Sequence, residues 1–116
     1  MLPFPVGLML VWVAFLLCAP SAHAANVHAL ALEIVNHRFV PEHITAPANT
    51  PIVVTVRNRD ATPEEFESDA LQREKVIPGH STAKVFLGAL DPGTYPFIGD
   101  FHQKTAQGTL TITPTP

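Results

Sequence analysis

An all-β sandwich is the fold class that this sequence predicts, and three observations carry the prediction. Short apolar runs rich in Val, Ile, Leu and Phe recur along residues 25–116. Turn formers such as Pro47, Pro63, Pro78-Gly79 and Pro92-Gly93 fall between those runs. Within the runs, apolar positions alternate with period two, the repeat of a strand with one face buried. Short strands at this spacing, joined by turn chemistry, argue for an antiparallel or mixed sandwich rather than a helical domain.

The elements follow in order. Residues 27–35 predict a first strand, with His28, Leu30, Leu32 and Ile34 on one face and Asn36 closing it. Residues 38–46 predict an edge or bulged strand, because Pro41 cannot donate a ladder hydrogen bond. Pro51 to Asn58 is the strongest strand signal, β-branched throughout its centre, with Ile52, Val54 and Val56 on one face. Glu64 to Ser68 predicts a short strand. There Phe66 points one way and Glu65 and Glu67 the other, roughly 7 Å apart along the chain. If Phe66 is core, only Glu64 shares its inward face. Residues 69–74 predict irregular structure or one helical turn. Residues 75–77 and 81–87 predict further strands, and 94–98 and 107–113 the last two.

The N-terminus stands apart. Leu8 to Ala19 is a nearly unbroken apolar run, followed by Pro20, Ser21 and the small-residue pattern Ala22-His23-Ala24. This predicts a signal peptide over residues 1–24, cleaved after Ala24, and one domain over 25–116. The run is short for a membrane span, although no Lys or Arg precedes it, so an uncleaved membrane anchor is the alternative. Export of this kind predicts a periplasmic protein.

Composition narrows the chemistry. The only Cys (Cys18), both Met (Met1 and Met9) and the only Trp (Trp12) lie in residues 1–24. Residues 25–116 therefore hold no disulfide and no sulfur ligand. The chain has 7 Lys and Arg against 10 Asp and Glu, with no basic run, which argues against nucleic-acid binding. No Ser-His-Asp order, nucleophile elbow, phosphate loop or His-Glu-x-x-His motif is present, so a non-enzyme is expected.

The residues that could carry chemistry are carboxylates and imidazoles. Asp100 and His102 flank Phe101 in the loop between the last two predicted strands, a common place for a metal site on a sandwich. Glu65 and Glu67 are a second pair, hard oxygen donors suited to iron, manganese or calcium better than to copper(I). Their bland alternative is a salt bridge to Lys75 or a solvated strand face. Glu64, His37 and His43 are secondary candidates. The aromatic residues Phe39, Phe66, Phe86, Tyr95, Phe97 and Phe101 read as packing.

Asp91-Pro-Gly-Thr-Tyr-Pro-Phe, the loop with His102, and Gly108-Thr-Leu-Thr-Ile together resemble the C-terminal end of a cupredoxin. His102 falls on the copper-binding His of that pattern, and Gly99 falls on its Cys. The Met position falls near Ala106 or Gln107, and the other copper His on or beside Glu64. A blue-copper site needs a thiolate, which residues 25–116 cannot supply. The ordered set Phe39-x-Pro41-Glu42, Thr62-Pro63-x-Glu65-Phe66-Glu67-Ser68, Pro78-Gly79, Tyr95-x-Phe97, Asp100-Phe101-His102 and Ala106-x-Gly108 resembles the EfeO-type cupredoxin-like domain.

That resemblance implies a Greek-key sandwich of about seven to eight strands. It further implies an exported metal-handling protein linked to iron uptake and sometimes to copper. The expected metal residues are Asp100, His102, Glu65 and Glu67, and the expected cofactor is an iron or copper ion. The expected partner is a membrane iron permease or another periplasmic uptake component. The alternatives are a copper(II)-binding periplasmic protein and a metal-free interaction module on the same fold. A metal role predicts that Asp100 and His102 converge with at least one of Glu64, Glu65 and Glu67. An interaction module predicts that they scatter.

Overall fold

The computed structural model describes residues 1–3, 7, 13–20 and 26–115. Residues 8–12 of the Leu8–Ala19 run and the small-residue pattern Ala22-His23-Ala24 lie outside the described residues. No helix among the described residues is long and apolar enough to cross a membrane.

Among the described residues, nine strands form two packed sheets. They are β1 (His28–Val35), β2 (Arg38–Val40), β3 (His43–Pro47), β4 (Ile52–Asn58), β5 (Glu64–Ser68), β6 (Arg73–Ile77), β7 (Thr82–Leu87), β8 (Gly93–Gly99) and β9 (Gln107–Thr113). A 3-10 turn, η1 (Asp100–His102), joins β8 to β9. The first sheet has the order β2-β1-β4-β7 and the second β3-β9-β8-β5-β6. Two pairings are parallel, β1 with β4 and β3 with β9, and the rest are antiparallel, so the sandwich is mixed.

The alternation read from the sequence places the core. Leu32 and Ile34 of β1, Ile52, Val54 and Val56 of β4, and Val85 and Leu87 of β7 are buried and line one wall. Phe66, Phe97, Leu110 and Ile112 are buried on the other. Phe39 meets Phe97 and Phe66 edge-on, with ring centroids 5.0 and 6.2 Å away, while Phe66 and Phe97 stack at 5.0 Å. Such contacts add about 0.5–1.5 kcal/mol each beyond the apolar area they bury. Phe86 and Phe101 depart from the packing expectation: both are exposed.

The ninth strand comes from a segment expected to be continuous. Residues 38–46 divide at Pro41, whose preceding peptide bond is cis. Pro41 has no N–H with which to extend the ladder. The chain therefore leaves the first sheet after Val40 and enters the second at His43. This corner sets β2 at one edge and β3 at another, and it leaves the β1–β2 hairpin turn at the end of the sandwich where η1 lies.

Candidate metal centre

The candidate residues do not form one site. All but His43 form two clusters, separated by the period-two geometry of β5. Glu64, Phe66 and Ser68 are buried, while Glu65 and Glu67 between them are half-buried on the opposite face. The turn η1 then divides the other pair. Asp100 joins Glu65 and Glu67, and His102 joins Glu64 and His37. In each cluster the three donor atoms lie within 4.8 Å of one another. The expected grouping of Asp100, His102, Glu65 and Glu67 is thus replaced by two groupings. Neighbouring residues on a strand face opposite ways, and residues two apart in a tight turn do not share a direction.

The inner cluster is built around Glu64, which is 1% exposed. Its Oε1 accepts hydrogen bonds from the backbone N–H of Phe101 (2.9 Å) and of Glu65 (3.1 Å). Its Oε2 lies 2.5 Å from Nδ1 of His102. Neither Lys nor Arg forms an ion pair with it among the described residues. A buried carboxylate needs hydrogen bonds and a compensating cation, and here the imidazole edge is the side from which a cation can come.

His37 covers the pair. Its ring stacks on that of His102 with centroids 3.6 Å apart and planes 14° from parallel. It sits at the second position of the two-residue β1–β2 turn, where Asn36 (φ 51°) and His37 (φ 58°) are both left-handed. Such a turn matches the twist of the flanking strands and favours Asn-Gly, so a His at its second position is unusual.

Asp60 holds the turn in place. Its Oδ1 accepts from the Asn36 N–H (2.8 Å) and its Oδ2 from the His37 N–H (2.9 Å). The His37 ring Nδ1 is 3.5 Å from the same Oδ2. Burial opposes the Asp60 charge, but the two backbone N–H groups and the nearby His37 and His102 rings outweigh it. They hold this carboxyl below its usual range. From the other side, the Thr105 hydroxyl donates to the His37 carbonyl (2.6 Å).

The outer cluster is more open. A hydrogen bond with Asp100, then burial, then the charges of Asp100, Glu74 and Glu65 push the Glu67 carboxyl above its usual value. Burial, then the charges of Asp100, Glu74 and Glu64, do the same to Glu65. Glu74 is close because it pairs with Glu67 across the β5–β6 ladder. The alternative bridge from Glu65 or Glu67 to Lys75 is not among the ion pairs of the described residues. Gln103 donates to Asp100 Oδ1 (2.7 Å). His43 belongs to neither cluster, since it lies on β3 with its Nδ1 2.6 Å from Thr109 Oγ1.

Gly99 closes the inner cluster from below. A Cβ at this position would lie 2.6 Å from the Ala106 Cβ, 2.7 Å from the Glu64 Cδ and 2.9 Å from its Oε1. The space of a side chain at residue 99 is taken by the Glu64 carboxylate, so a thiolate at this position does not fit the donor set. Two imidazoles and one carboxylate do fit an ion that accepts mixed nitrogen and oxygen ligands. Sequence reasoning did not single out Asp60, Thr105 or Gly99 for the site. Only Gly99 left a trace, as the position that the cupredoxin Cys would occupy.

A mixed β-sandwich that gathers its polar donors from a hairpin turn, β5 and the loop before the last strand defines a domain of cupredoxin-like architecture. Residues 7–112 match the family described as "Cupredoxin-like domain", and the chain belongs to that family. It is 41% identical over 93 residues to "Uncharacterized protein RP394" of Rickettsia prowazekii (strain Madrid E), covering 80% of this chain and 74% of that protein. Among solved structures it is similar to auracyanin A, described as a "blue" copper protein from Chloroflexus aurantiacus. That match has a TM-score of 0.65 and 15% identity, and covers 76% of this chain and all of the other. It is also similar to the metal binding domain of the Cu(I) exporting P-type ATPase CopA of Streptococcus pneumoniae D39. There the TM-score is 0.65 and the identity 13%, with 79% of this chain and 91% of the other covered.

Proposed function

We propose that this protein binds a divalent transition-metal ion, copper(II) foremost, through His37, Glu64 and His102, and carries it by ligand exchange. The observation that carries this reading is the Glu64 carboxylate. It is 1% exposed, has no Lys or Arg ion pair among the described residues, and offers its donor within 4.8 Å of those of two imidazoles. Imidazole and carboxylate together suit copper(II), which outcompetes other divalent first-row ions at such sites. The sulfur-free donor set opposes a blue-copper electron carrier and favours exchange, because no thiolate holds the ion. The similar structures described as copper proteins agree with copper as the cargo. The apolar N-terminal run supports export and a periplasmic location.

A second reading, an accessory of iron uptake acting with a membrane permease, is favoured by the Glu65–Glu67–Asp100 cluster. Three hard oxygen donors within 4.8 Å suit iron better than they suit copper. The EfeO-type resemblance of the sequence points the same way.

Calorimetric titration of the purified protein with Cu(II), Zn(II), Mn(II) and Fe(III)-citrate tests both, beside His102→Ala and Asp100→Ala. Copper(II) binding that His102→Ala abolishes and Asp100→Ala leaves intact supports the first reading. Iron binding lost in Asp100→Ala alone supports the second. No binding of any ion by the folded protein overturns both and leaves a metal-free interaction module.

A further inference from the structure

We propose that Gly99 is the specificity-determining residue of the inner site: by lacking a Cβ it admits the Glu64 carboxylate, and so selects copper(II) against copper(I). This rests on the metal-binding reading above.

The backbone of Gly99 does not itself require glycine. Its φ of −92° and ψ of 106° are extended values that any residue adopts. The requirement comes from the side. The Cβ of any other residue would fall 2.7 Å from the Glu64 Cδ and 2.6 Å from the Ala106 Cβ. Both neighbours are essentially without solvent exposure and cannot swing outward. The Phe101 and Glu65 N–H groups further fix the carboxylate by holding Oε1, which leaves Oε2 directed at His102. Glu64 thus presents one immobilised oxygen beside the imidazoles, and it can do so only because residue 99 leaves the space free.

The chemistry follows from that oxygen. Copper(I) is soft and favours thiolate and thioether ligands, whereas copper(II) accepts imidazole and carboxylate. A negatively charged oxygen inside the site therefore stabilises the divalent ion more than the monovalent one. A side chain at residue 99 pushes this oxygen away and leaves two imidazoles, a set with less preference between the two oxidation states.

The test measures dissociation constants for Cu(II) and for Cu(I) by competition with chelators of known affinity, the latter without oxygen. The proteins compared are the wild type, Glu64→Gln, Gly99→Ala and the double variant Gly99→Ala/Ala106→Gly. The double variant removes the methyl–methyl conflict and leaves only displacement of the carboxylate. Thermal denaturation and the electron paramagnetic resonance spectrum of bound Cu(II) are recorded for each. The wild type is expected to bind Cu(II) more tightly than Cu(I). Each folded variant is expected to lose at least about tenfold of that ratio, mainly through weaker Cu(II) binding, with a changed Cu(II) spectrum. Should the Gly99 variants not fold, Glu64→Gln, which keeps shape and removes charge, decides the question. An unchanged ratio in the folded variants, or a wild type that favours Cu(I), overturns the selectivity role and leaves the site standing. A wild type that binds neither ion overturns the metal reading itself and this inference with it.

Discussion

The rings of His37 and His102 lie face to face, 3.6 Å between centroids, although one belongs to a hairpin of the first sheet and the other to the turn before the last strand of the second. The stack is held by Asp60 on the hairpin side and by Thr105 on the other. His37 holds its place in a left-handed conformation that a β-carbon disfavours. Backbone strain of this kind falls here at a cluster of potential ligands.

His37→Gly is expected to separate these roles. Glycine suits the turn, so folding stability should rise by about 0.5–1 kcal/mol. Metal affinity should fall at least about tenfold, since one imidazole is lost. Thermal melts and copper(II) titration of the same sample check both. A variant that gains stability and keeps its affinity shows His37 to be outside the ligand set.

Glu64→Ala is expected to destabilise the fold by roughly 2–4 kcal/mol. The substitution opens a cavity and leaves the Phe101 and Glu65 N–H groups without their acceptor. Urea denaturation measures the loss. Glu65→Ala, on the opposite face of the same strand, is expected to stay within about 0.5 kcal/mol of the wild type.

Acidity should act on Asp60 and on the Glu65–Glu67 pair in opposite senses. The folded-state pKa of Asp60 is lowered, so its contribution is present above its ordinary carboxyl range and is lost as pH falls through the lowered value. Those of Glu65 and Glu67 are raised, so their favourable contribution is present below the ordinary glutamate range and is lost as pH rises through the raised values. Melting temperature against pH is therefore expected to fall on the alkaline side of the ordinary glutamate range. Glu67→Gln should flatten this decline, and Asp60→Asn should flatten the acid limb.

Gly79→Ala is expected to destabilise by about 1–3 kcal/mol. A Cβ at Gly79 would lie 2.0 Å from the Ala61 carbonyl oxygen, in the loop that carries Asp60. The neighbouring His80 N–H donates to the Asp60 carbonyl at 2.9 Å. Because the clash displaces the residue that fixes His37, copper(II) affinity should fall together with stability. Unchanged affinity at reduced stability shows that the loop does not position His37.

The sandwich and most strands were legible because period-two burial leaves a direct mark, as at Ile52, Val54 and Val56. The split at Pro41 was half legible: a missing N–H announces the end of a ladder, but not that the chain then changes sheet. Alternation on β5 already implied that Glu64 shares the inward face of Phe66. The identity of its partners was not legible. Stacking of His37 on His102 depends on the pairing of distant segments, and the divergence of Asp100 from His102 depends on a 3-10 turn whose direction no pattern of apolar residues encodes. Gly99 shows the same limit. Its sequence neighbours give no reason for glycine, and the reason lies across the ladder in Glu64 and Ala106.

The inner cluster draws one donor each from residues 37, 64 and 102, which come together only when both sheets have closed. An unfolded chain has no such constellation, so an ion held there is bound by the native state alone. Free metal at 100 times the dissociation constant would then deepen the native well by about 2.7 kcal/mol. Loaded and empty molecules would differ in lifetime as well as in cargo. Opening to the protease-sensitive state would be about a hundredfold rarer for the loaded form, so proteolysis would remove empty molecules ahead of loaded ones.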